Sequence, residues 1–314
     1  MRWIVRMLLS LRGDEARFAR SLAGFEDPGL RRRLQAVGDA FLAGYRAALE
    51  EEDPKALAGR ARRIDPDLWG FAHEGVGLGL ALLDSLMPRR RRFDAFLAGS
   101  GTEQPYMLHV GAGWVLARLP VSPSRFLARF DPLLRWMTLD GFGFHEAFFH
   151  WRRTVERRRL PARLSGYGRR PFDVGVGRRL WLTPEVEAGR LPGIVAGFPE
   201  SRQADLWVGI GEACAFSGVR GPEAIAGALR AAGRFSPQMG QGAAFAAKVR
   251  ARAGNPAAHT EAACRILCRR SAADAAALTD EALAGLPADG EVPAFEVWRR
   301  RVQERLVVSS SHVD

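Results

Sequence analysis

The sequence predicts an all-α fold in which three tandem helical hairpins form a compact, toroid-like bundle with capping helices at both ends. Three observations predict it. Apolar residues recur at helical spacing, the period-2 alternation typical of strands is nowhere sustained, and two motifs recur in one order three times along the 314 residues. Repeated helical pairs bury their apolar faces only against each other, which favours a curved or closed array.

The first recurring motif places a glutamate inside a stretch rich in glycine and aromatic residues. Its copies read WGFAHEG at residues 69–75, DGFGFHEAFFHW at residues 140–151 and DLWVGIGEA at residues 205–213. The glutamates of these copies, Glu74, Glu146 and Glu212, are separated by 72 and 66 residues. The spacing indicates that the three stretches are copies of one ancestral unit.

The second motif follows each copy of the first and contains a Gly-x-Gly triplet. It reads HVGAGW, DVGVGR and QMGQGA, and its first glycines, Gly111, Gly175 and Gly240, are 64 and 65 residues apart. Two motifs that recur in one order indicate an internal triplication. We therefore predict one domain with an N-terminal cap (1–53), repeats at 54–120, 121–182 and 183–254, a C-terminal cap (255–308) and a disordered tail (309–314).

The first repeat follows an amphipathic helix. Residues 31–50 carry one apolar stripe at helical spacing, and Pro54 suits the first turn of a short helix. Residues 68–86 are so apolar that a helix there must be buried on most sides; its polar residues are His73, Glu74 and Asp84. We expect further helices in this repeat at residues 93–97 and 105–120.

The second and third repeats carry the same order of helix starts and Gly-x-Gly helices. Proline marks their helix starts and turns, at positions 123, 132, 171, 184 and 222. Beyond the repeats we expect one helix over residues 260–277 and a basic helix over residues 295–307. The opening MRWIVRMLLSLR lacks the cleavage site of a signal peptide, so we expect an amphipathic helix there.

Composition limits the classes of function. The net charge is +11 and the pI about 10.8, but nearly all the cations are arginine in a chain rich in alanine and glycine. A solvated basic surface explains this better than a nucleic-acid groove, which a steep salt dependence of binding would reveal. Three cysteines cannot build a disulfide framework, and no apolar run is long enough to span a membrane. We expect a cytoplasmic protein.

The candidate site follows from the repeats. A glutamate is rarely buried without a partner, yet all three repeated glutamates lie in the most apolar stretches, so we expect them to point to one axis. We predict Glu146 and His145 as an acid/base pair. Glu74, Glu212 and His73 support them as catalytic residues. The predicted substrate-binding residues are His109, Asp173, Phe142, Phe144, Trp69, Trp207 and Arg178.

Two other readings of the same residues stay open. Each glutamate can instead be a buried structural residue that forms hydrogen bonds with a neighbouring helix terminus or with an arginine such as Arg178. The cavity can also bind a ligand without chemistry. The aromatic residues of these stretches are more often part of a core than of a binding surface. An apolar aromatic cavity would nevertheless suit a long, unsaturated substrate.

Metal and cofactor sites are not predicted. His145 and His150 are five residues apart, whereas the zinc-protease motif needs histidines four apart on one helix face. Cys264 and Cys268 are four residues apart with His259 nearby, but a zinc site there lacks a fourth ligand, and buried small side chains explain the cysteines better. The Gly-x-Gly triplets follow no strand and lack the third glycine of a dinucleotide fingerprint, so tight helix packing explains them better.

Several long phrases resemble a known bacterial family, the enediyne biosynthesis proteins, whose genes accompany enediyne polyketide synthases. The phrases are DGFGFHEAFFHW, GRRLW at residues 177–181, ADLWVGIGEACAFSG at residues 204–218 and QGAAFAAKVRARAGNPAAHTEAAC at residues 241–264. The resemblance runs from about Phe25 to the last helix. It implies a part in natural-product assembly, such as the conversion of a linear polyene to a cyclised core.

Two hypotheses of function result. In the first, the protein is an enzyme that acts on an apolar, unsaturated polyketide-type intermediate by carboxylate and histidine chemistry. In the second, it is a non-catalytic scaffold whose basic rims, at residues 89–92 and 157–159, dock an acidic partner such as a carrier protein or a polyketide synthase. The glutamates are essential in the first hypothesis and dispensable in the second.

Overall fold

A computed structural model describes residues 18–186 and 189–308, and the chain is helical throughout these ranges apart from turns and loops. No strand occurs within them, so the all-α prediction is confirmed for the part of the chain that is described. The predicted first helix and the predicted disordered tail lie outside these residues. The α-helices are α1 (Pro28–Glu50), α2 (Pro54–Arg62), α3 (Trp69–Leu86), α4 (Arg92–Ala98), α5 (Pro105–Arg118), α6 (Pro123–Leu127), α7 (Met137–Phe149), α8 (Arg169–Trp181), α9 (Leu191–Ala196), α10 (Glu200–Ser217), α11 (Pro222–Ala232), α12 (Ser236–Arg252), α13 (Ala258–Leu267), α14 (Ala272–Leu283) and α15 (Ala294–Val308).

The starts of the first helices agree with the sequence signals. The side chains of Asp27 and Asp53 accept hydrogen bonds from backbone N–H groups in the first turns of α1 and α2, and a proline follows each aspartate. These caps satisfy N–H groups that have no partner inside the helix.

The prediction of a single helix over residues 260–277 is wrong. The chain breaks between α13 and α14, where Arg269 has a left-handed φ of 54°. Ser271 then caps α14 by accepting a hydrogen bond from the backbone N–H of Asp274 at 3.0 Å. A left-handed residue ends a helix, and a serine cap starts the next one.

Six Gly-x-Gly helices form the centre of the molecule: α3, α5, α7, α8, α10 and α12. Each packs against the next in this order, and α1 packs on α3. In α5, Gly111 faces the backbone of α3 and Gly113 faces the backbone of α7. A Cβ built on Gly111 would lie 1.8 Å from the carbonyl oxygen of Glu74. The glycines therefore allow neighbouring helix backbones to touch, as the packing interpretation predicts.

The glycine contacts align the central helices differently from the glutamates. A Gly-x-Gly triplet occurs in or beside both predicted motifs. Each central helix, rather than each predicted helical hairpin, therefore carries one pair of glycines. Relative to these pairs, Glu74 stands directly before Gly75, whereas Glu212 stands directly after Gly211. Glu146 lies three residues beyond Gly143. The three glutamates therefore occupy different positions of the helical unit, which corrects their assumed equivalence.

Charged and aromatic contacts join the start of α3 to the ends of α10 and α12. Asp67 forms salt bridges with Arg33 of α1 at 2.6 Å and with Arg250 of α12 at 3.0 Å. Buried Arg250 also donates to the carbonyl of Phe216 at 2.8 Å. The ring of Phe71 lies 5.0 Å from that of Phe216. These contacts connect the first Gly-x-Gly helix to the last two.

We expect Gly113→Ala to lower the free energy of unfolding by on the order of 3 kcal/mol, because the added Cβ would lie 1.8 Å from the carbonyl oxygen of Thr138. Gly59→Ala in α2 is the matched control, because its Cβ meets no atom within 4 Å. That change should stabilise the protein by on the order of 0.5 kcal/mol, since alanine favours the helix. Chemical denaturation measures both. Equal effects of the two substitutions would contradict the close packing.

Candidate functional site

An apolar cavity lies between the described N-terminal residues, α1, α3, α5 and α7. Its volume is about 100 Å³, and about 840 Å³ when the open space at its mouth is included. Aromatic rings dominate the wall, and polar atoms are confined to a few side chains. The lining residues are Phe18, Ser21, Leu22, Phe25, Leu34, Val37, Gly38, Phe41, Leu42, Phe71, Glu74, Trp114, Phe144, Phe148, Phe149, Arg178 and Leu182.

A buried guanidinium stands at the polar end of this cavity. Arg178 of α8 lies 3.0 Å from Asp140, 3.5 Å from Glu74 and 3.9 Å from Glu212. It also lies over the ring of Phe144, 5.1 Å from the ring centre. All four charged side chains are buried, so three carboxyl groups share one cation in an interior that water barely reaches. We call these four residues the Arg178 cluster.

Burial shifts the pKa values of the Arg178 cluster. Loss of hydration raises the pKa of Glu74, while the charge of Arg178 opposes this rise. Burial and the charge of Asp140 raise the pKa of Glu212 to about 8. Burial also works against charged Arg178, but its carboxyl neighbours outweigh this and raise the pKa of the guanidinium. Near neutral pH the cluster can therefore hold an ionised and a protonated carboxyl group side by side.

The members of the Arg178 cluster face different spaces. Glu74 and Arg178 line the apolar cavity, whereas Asp140 and Glu212 line a small pocket of about 20 Å³ on another side. Trp114 orients Glu74, because its indole N–H donates to the carboxyl oxygen at 3.2 Å. Glu74 is thus the carboxyl of the cluster that a ligand in the cavity can touch.

The predicted acid/base pair lies elsewhere. Glu146 contacts His145 at 3.6 Å, His150 at 3.9 Å and the guanidinium of Arg153. It lines an open cleft of about 420 Å³ that is separate from the apolar cavity. The ring of Trp114 stands 5.1 Å from His145 while its N–H reaches Glu74. The three glutamates therefore do not share one site.

The other predicted histidines and Asp173 have partners of their own. His73 and His109 each place Nδ1 near the carbonyl four residues earlier, at 2.8 Å and 2.6 Å, and burial lowers the pKa of both. Two nitrogens of Arg202 donate to the carboxyl of Asp173, and burial raises the pKa of this carboxyl to about 6. The two histidines thus bond within their own helices, Asp173 joins α8 to α10, and none of the three lines the apolar cavity.

Of the four aromatic residues predicted to bind substrate, one lines the apolar cavity and three do not. Phe144 lines the cavity. Phe142 packs on Phe172, with ring centres 5.3 Å apart, and lines the cleft of Glu146. Trp207 is buried in the core, and Trp69 donates its indole N–H to the carbonyl of Ile64 at 2.9 Å. Of the predicted site residues, the cavity therefore contains Glu74, Phe144 and Arg178.

Sequence reasoning missed Asp140 and Trp114. Asp140 stands directly before Gly141, the position that Glu74 holds before Gly75. Trp114 stands directly after Gly113, as Arg178 follows Gly177. An alignment on the glycines would have found both residues, whereas the alignment on the glutamates concealed them.

Among the described residues, no three His, Cys, Asp or Glu side chains come together in a group that could hold a metal ion. No helix in the same part of the chain has the length and apolar character needed to cross a membrane.

Fold and site together define an all-helical protein with a buried carboxyl–guanidinium cluster beneath an apolar cavity. Residues 1–306 match the family described as "Protein of unknown function (DUF1702)", and the chain belongs to this family. Comparisons with curated proteins and with solved structures give no match.

The raised pKa of Glu212 predicts how stability depends on pH. Between its ordinary value of 4.5 and about 8, folded Glu212 holds a proton that the unfolded chain releases. The free energy of unfolding should therefore fall as pH rises through this window. Glu212→Gln should match the wild type below pH 4.5 and be more stable than it above pH 8.

Denaturation curves at a series of pH values measure this difference. Glu200→Gln is the control, because that side chain is 72% exposed and pairs at the surface with Arg234. Parallel curves for the wild type and Glu212→Gln would mean that Glu212 is ionised throughout.

Proposed function

We propose that this protein binds a long, apolar, unsaturated polyketide-type molecule in the Phe-lined cavity and transfers protons at its double bonds through Glu74. The observation that carries the proposal is the placement of one buried carboxyl group, with a shifted pKa, at the end of an aromatic cavity. The resemblance to enediyne biosynthesis proteins supports a role in the assembly of an enediyne-like natural product.

The lining of the cavity supports an unsaturated ligand. Rings of Phe41, Phe144 and Trp114 surround the space, with the Phe41 and Trp114 ring centres 4.5 Å apart. Aromatic faces and edges pack well against flat conjugated chains, and burial of such a chain releases ordered water. The few polar atoms of the wall would fix the position of the chain rather than supply most of the affinity.

The chemistry needs only the groups that are present. Ionised Glu74 removes a proton from a carbon next to the conjugated system, and the electron pair moves along the chain. The same carboxyl group then returns the proton to a distant carbon, so the double bonds shift and no oxidant or reductant is consumed. Arg178 stabilises the ionised state of Glu74, and Trp114 holds its orientation. Asp140 and Glu212 act through Arg178 as positioning residues.

The closed, toroid-like arrangement of the repeats also belongs to this proposal. Contacts of Asp67 and Phe71 with Arg250 and Phe216 support it, because they connect the two ends of the Gly-x-Gly series. A closed series would hold Glu74 and Arg178 rigidly, although they are 104 residues apart in sequence.

Val37→Trp tests the cavity. The larger side chain would fill space between α1 and the aromatic wall, so binding of the neutral conjugated probe diphenylhexatriene should weaken on the order of tenfold or more. The fluorescence of the probe rises in apolar surroundings and gives the affinity directly. Glu146→Gln is the control, because its cleft is separate. Full binding by the Val37→Trp protein would place the probe outside this cavity.

Glu74→Gln tests the chemistry. The amide keeps the shape but cannot accept a proton, so product formation should fall on the order of a hundredfold or more, while diphenylhexatriene binding persists. The measurement is metabolite profiling of a deletion strain complemented with each variant. Glu146→Gln, at the carboxyl first predicted to be catalytic, is the comparison. Normal product from the Glu74→Gln strain would reject proton transfer by Glu74.

A docking scaffold is the second candidate, because arginines 89–91 and 157–159 are exposed. Arg92 is less available, since it pairs with buried Asp84 at 3.4 Å. Charge reversal of the exposed arginines would abolish product in a scaffold, and Glu74→Gln would leave product unchanged. The two candidates therefore give opposite results in the same complementation assay.

A further inference from the structure

Arg179 is a buried cation without an acidic partner. The residue is 7% exposed, and its Nη1 donates to the carbonyl of Leu182. Its Nε has no hydrogen-bond partner, and no carboxylate of residues 18–186 or 189–308 forms a salt bridge with it. The guanidinium instead lies over two rings, 4.6 Å from the centre of Phe148 and 5.8 Å from that of Trp151. Ring faces attract a cation but do not replace a counter-ion.

A second arginine lies close enough to Arg179 to affect its pKa. Arg220 donates to the carbonyls of Trp181 and Thr183 and lies over the ring of Phe25 at 5.8 Å. Burial first, and then the charge of Arg220, lower the pKa of Arg179 to about 9. No acid contributes to this shift.

Several other buried arginines have acidic partners. These are Arg178 with three carboxyl groups, Arg202 with Asp173, Arg250 with Asp67, and Arg299 with Asp205 and Glu296. A cation removed from water without such a partner is unfavourable, because nothing replaces its hydration. An anion bound beside Arg179 would remove this penalty. The contrast with the paired arginines indicates a site that is completed by a ligand.

The position of Arg179 relative to the cavity identifies the ligand. Phe148 and Leu182 line the apolar cavity; the ring of Phe148 and the backbone carbonyl of Leu182 both contact Arg179. An anion held by Arg179 would therefore continue into the apolar space. A guanidinium with its Nε edge unpaired matches the two oxygens of a planar carboxylate.

We propose that Arg179 binds the carboxylate end of the ligand whose apolar chain occupies the cavity. The substrate class is then a long unsaturated carboxylic acid, rather than a neutral hydrocarbon or a thioester. This inference rests on the proposed function, since it names the ligand of the same cavity. Arg179 is a binding residue, and Glu74 remains the group that acts on the chain.

The experiment compares parinaric acid, a fluorescent straight-chain conjugated acid, with its methyl ester. The wild type should bind the acid more tightly than the ester, on the order of tenfold to a hundredfold. Arg179→Met should remove this preference by weakening acid binding and leaving ester binding unchanged. Arg230→Met makes the same change of net charge at an exposed position of α11 and should keep the preference.

Two further measurements complete the test. The melting temperature of Arg179→Met should equal or exceed that of the wild type, because an unpaired buried charge is removed. Dodecanoate should displace parinaric acid better than dodecyl phosphate does, since a single guanidinium edge suits a carboxylate. Stronger displacement by the phosphate would overturn the assignment of a carboxylate.

The outcomes separate this inference from the proposed function. Equal affinity of the wild type for acid and ester, or an acid preference that survives in Arg179→Met, overturns the inference. In both cases diphenylhexatriene binding would still support the cavity. Absence of binding for diphenylhexatriene, the acid and the ester in the folded wild type would overturn both proposals.

Discussion

Backbone contact between glycines and carbonyl groups is the constraint on which the structure depends. At each crossing the missing Cβ lets a carbonyl oxygen approach the Cα of the neighbouring helix. Such weak Cα–H···O contacts recur where helices pack closely. Because the glycines lie at the contacts between helices, the residues next to them in sequence lie beside the same contacts. Glu74, Asp140, Arg178 and Glu212 each adjoin a glycine of a triplet, so the same contacts that build the fold also build the Arg178 cluster.

The charges of the interior divide into two parts with different character. In the Arg178 cluster, carboxyl groups outnumber the cation, and protons can compensate for the excess negative charge. Beside Phe148, no acid contributes to the pKa shift of Arg179. Glu74 and Arg178 line the apolar cavity, and so does Phe148, whose ring lies against Arg179. In the proposed function, the cavity therefore has one side that exchanges protons and another that attracts an anion. A molecule with an acidic end and a conjugated chain would match this polarity.

Part of this arrangement could be predicted from the sequence. Aspartate–proline pairs indicated where α1 and α2 begin, and acids in apolar stretches indicated a buried polar site. The alignment of the central helices could not be obtained from the glutamates. Close backbone contact fixes the positions of the glycines, whereas the glutamates stand at different positions relative to these contacts. The partner of Asp173 could not be predicted either. Arg202, which binds its carboxyl group, lies 29 residues away in sequence, and no local pattern connects the two residues. Glu146 lies in a cleft separate from the Arg178 cluster, because α7 ends at Phe149 and a π-helical turn then brings Arg153 onto the carboxyl.

The two glycines of each central helix impose a requirement that is nearly independent of every other position. Substitutions next to these glycines could replace a charged side chain with an aromatic one, or an aromatic side chain with an aliphatic one. The path of the backbone would stay the same. Change in the polarity of the interior would then proceed one helix at a time. An architecture of this kind would let the polarity of the interior change without any rearrangement of the backbone.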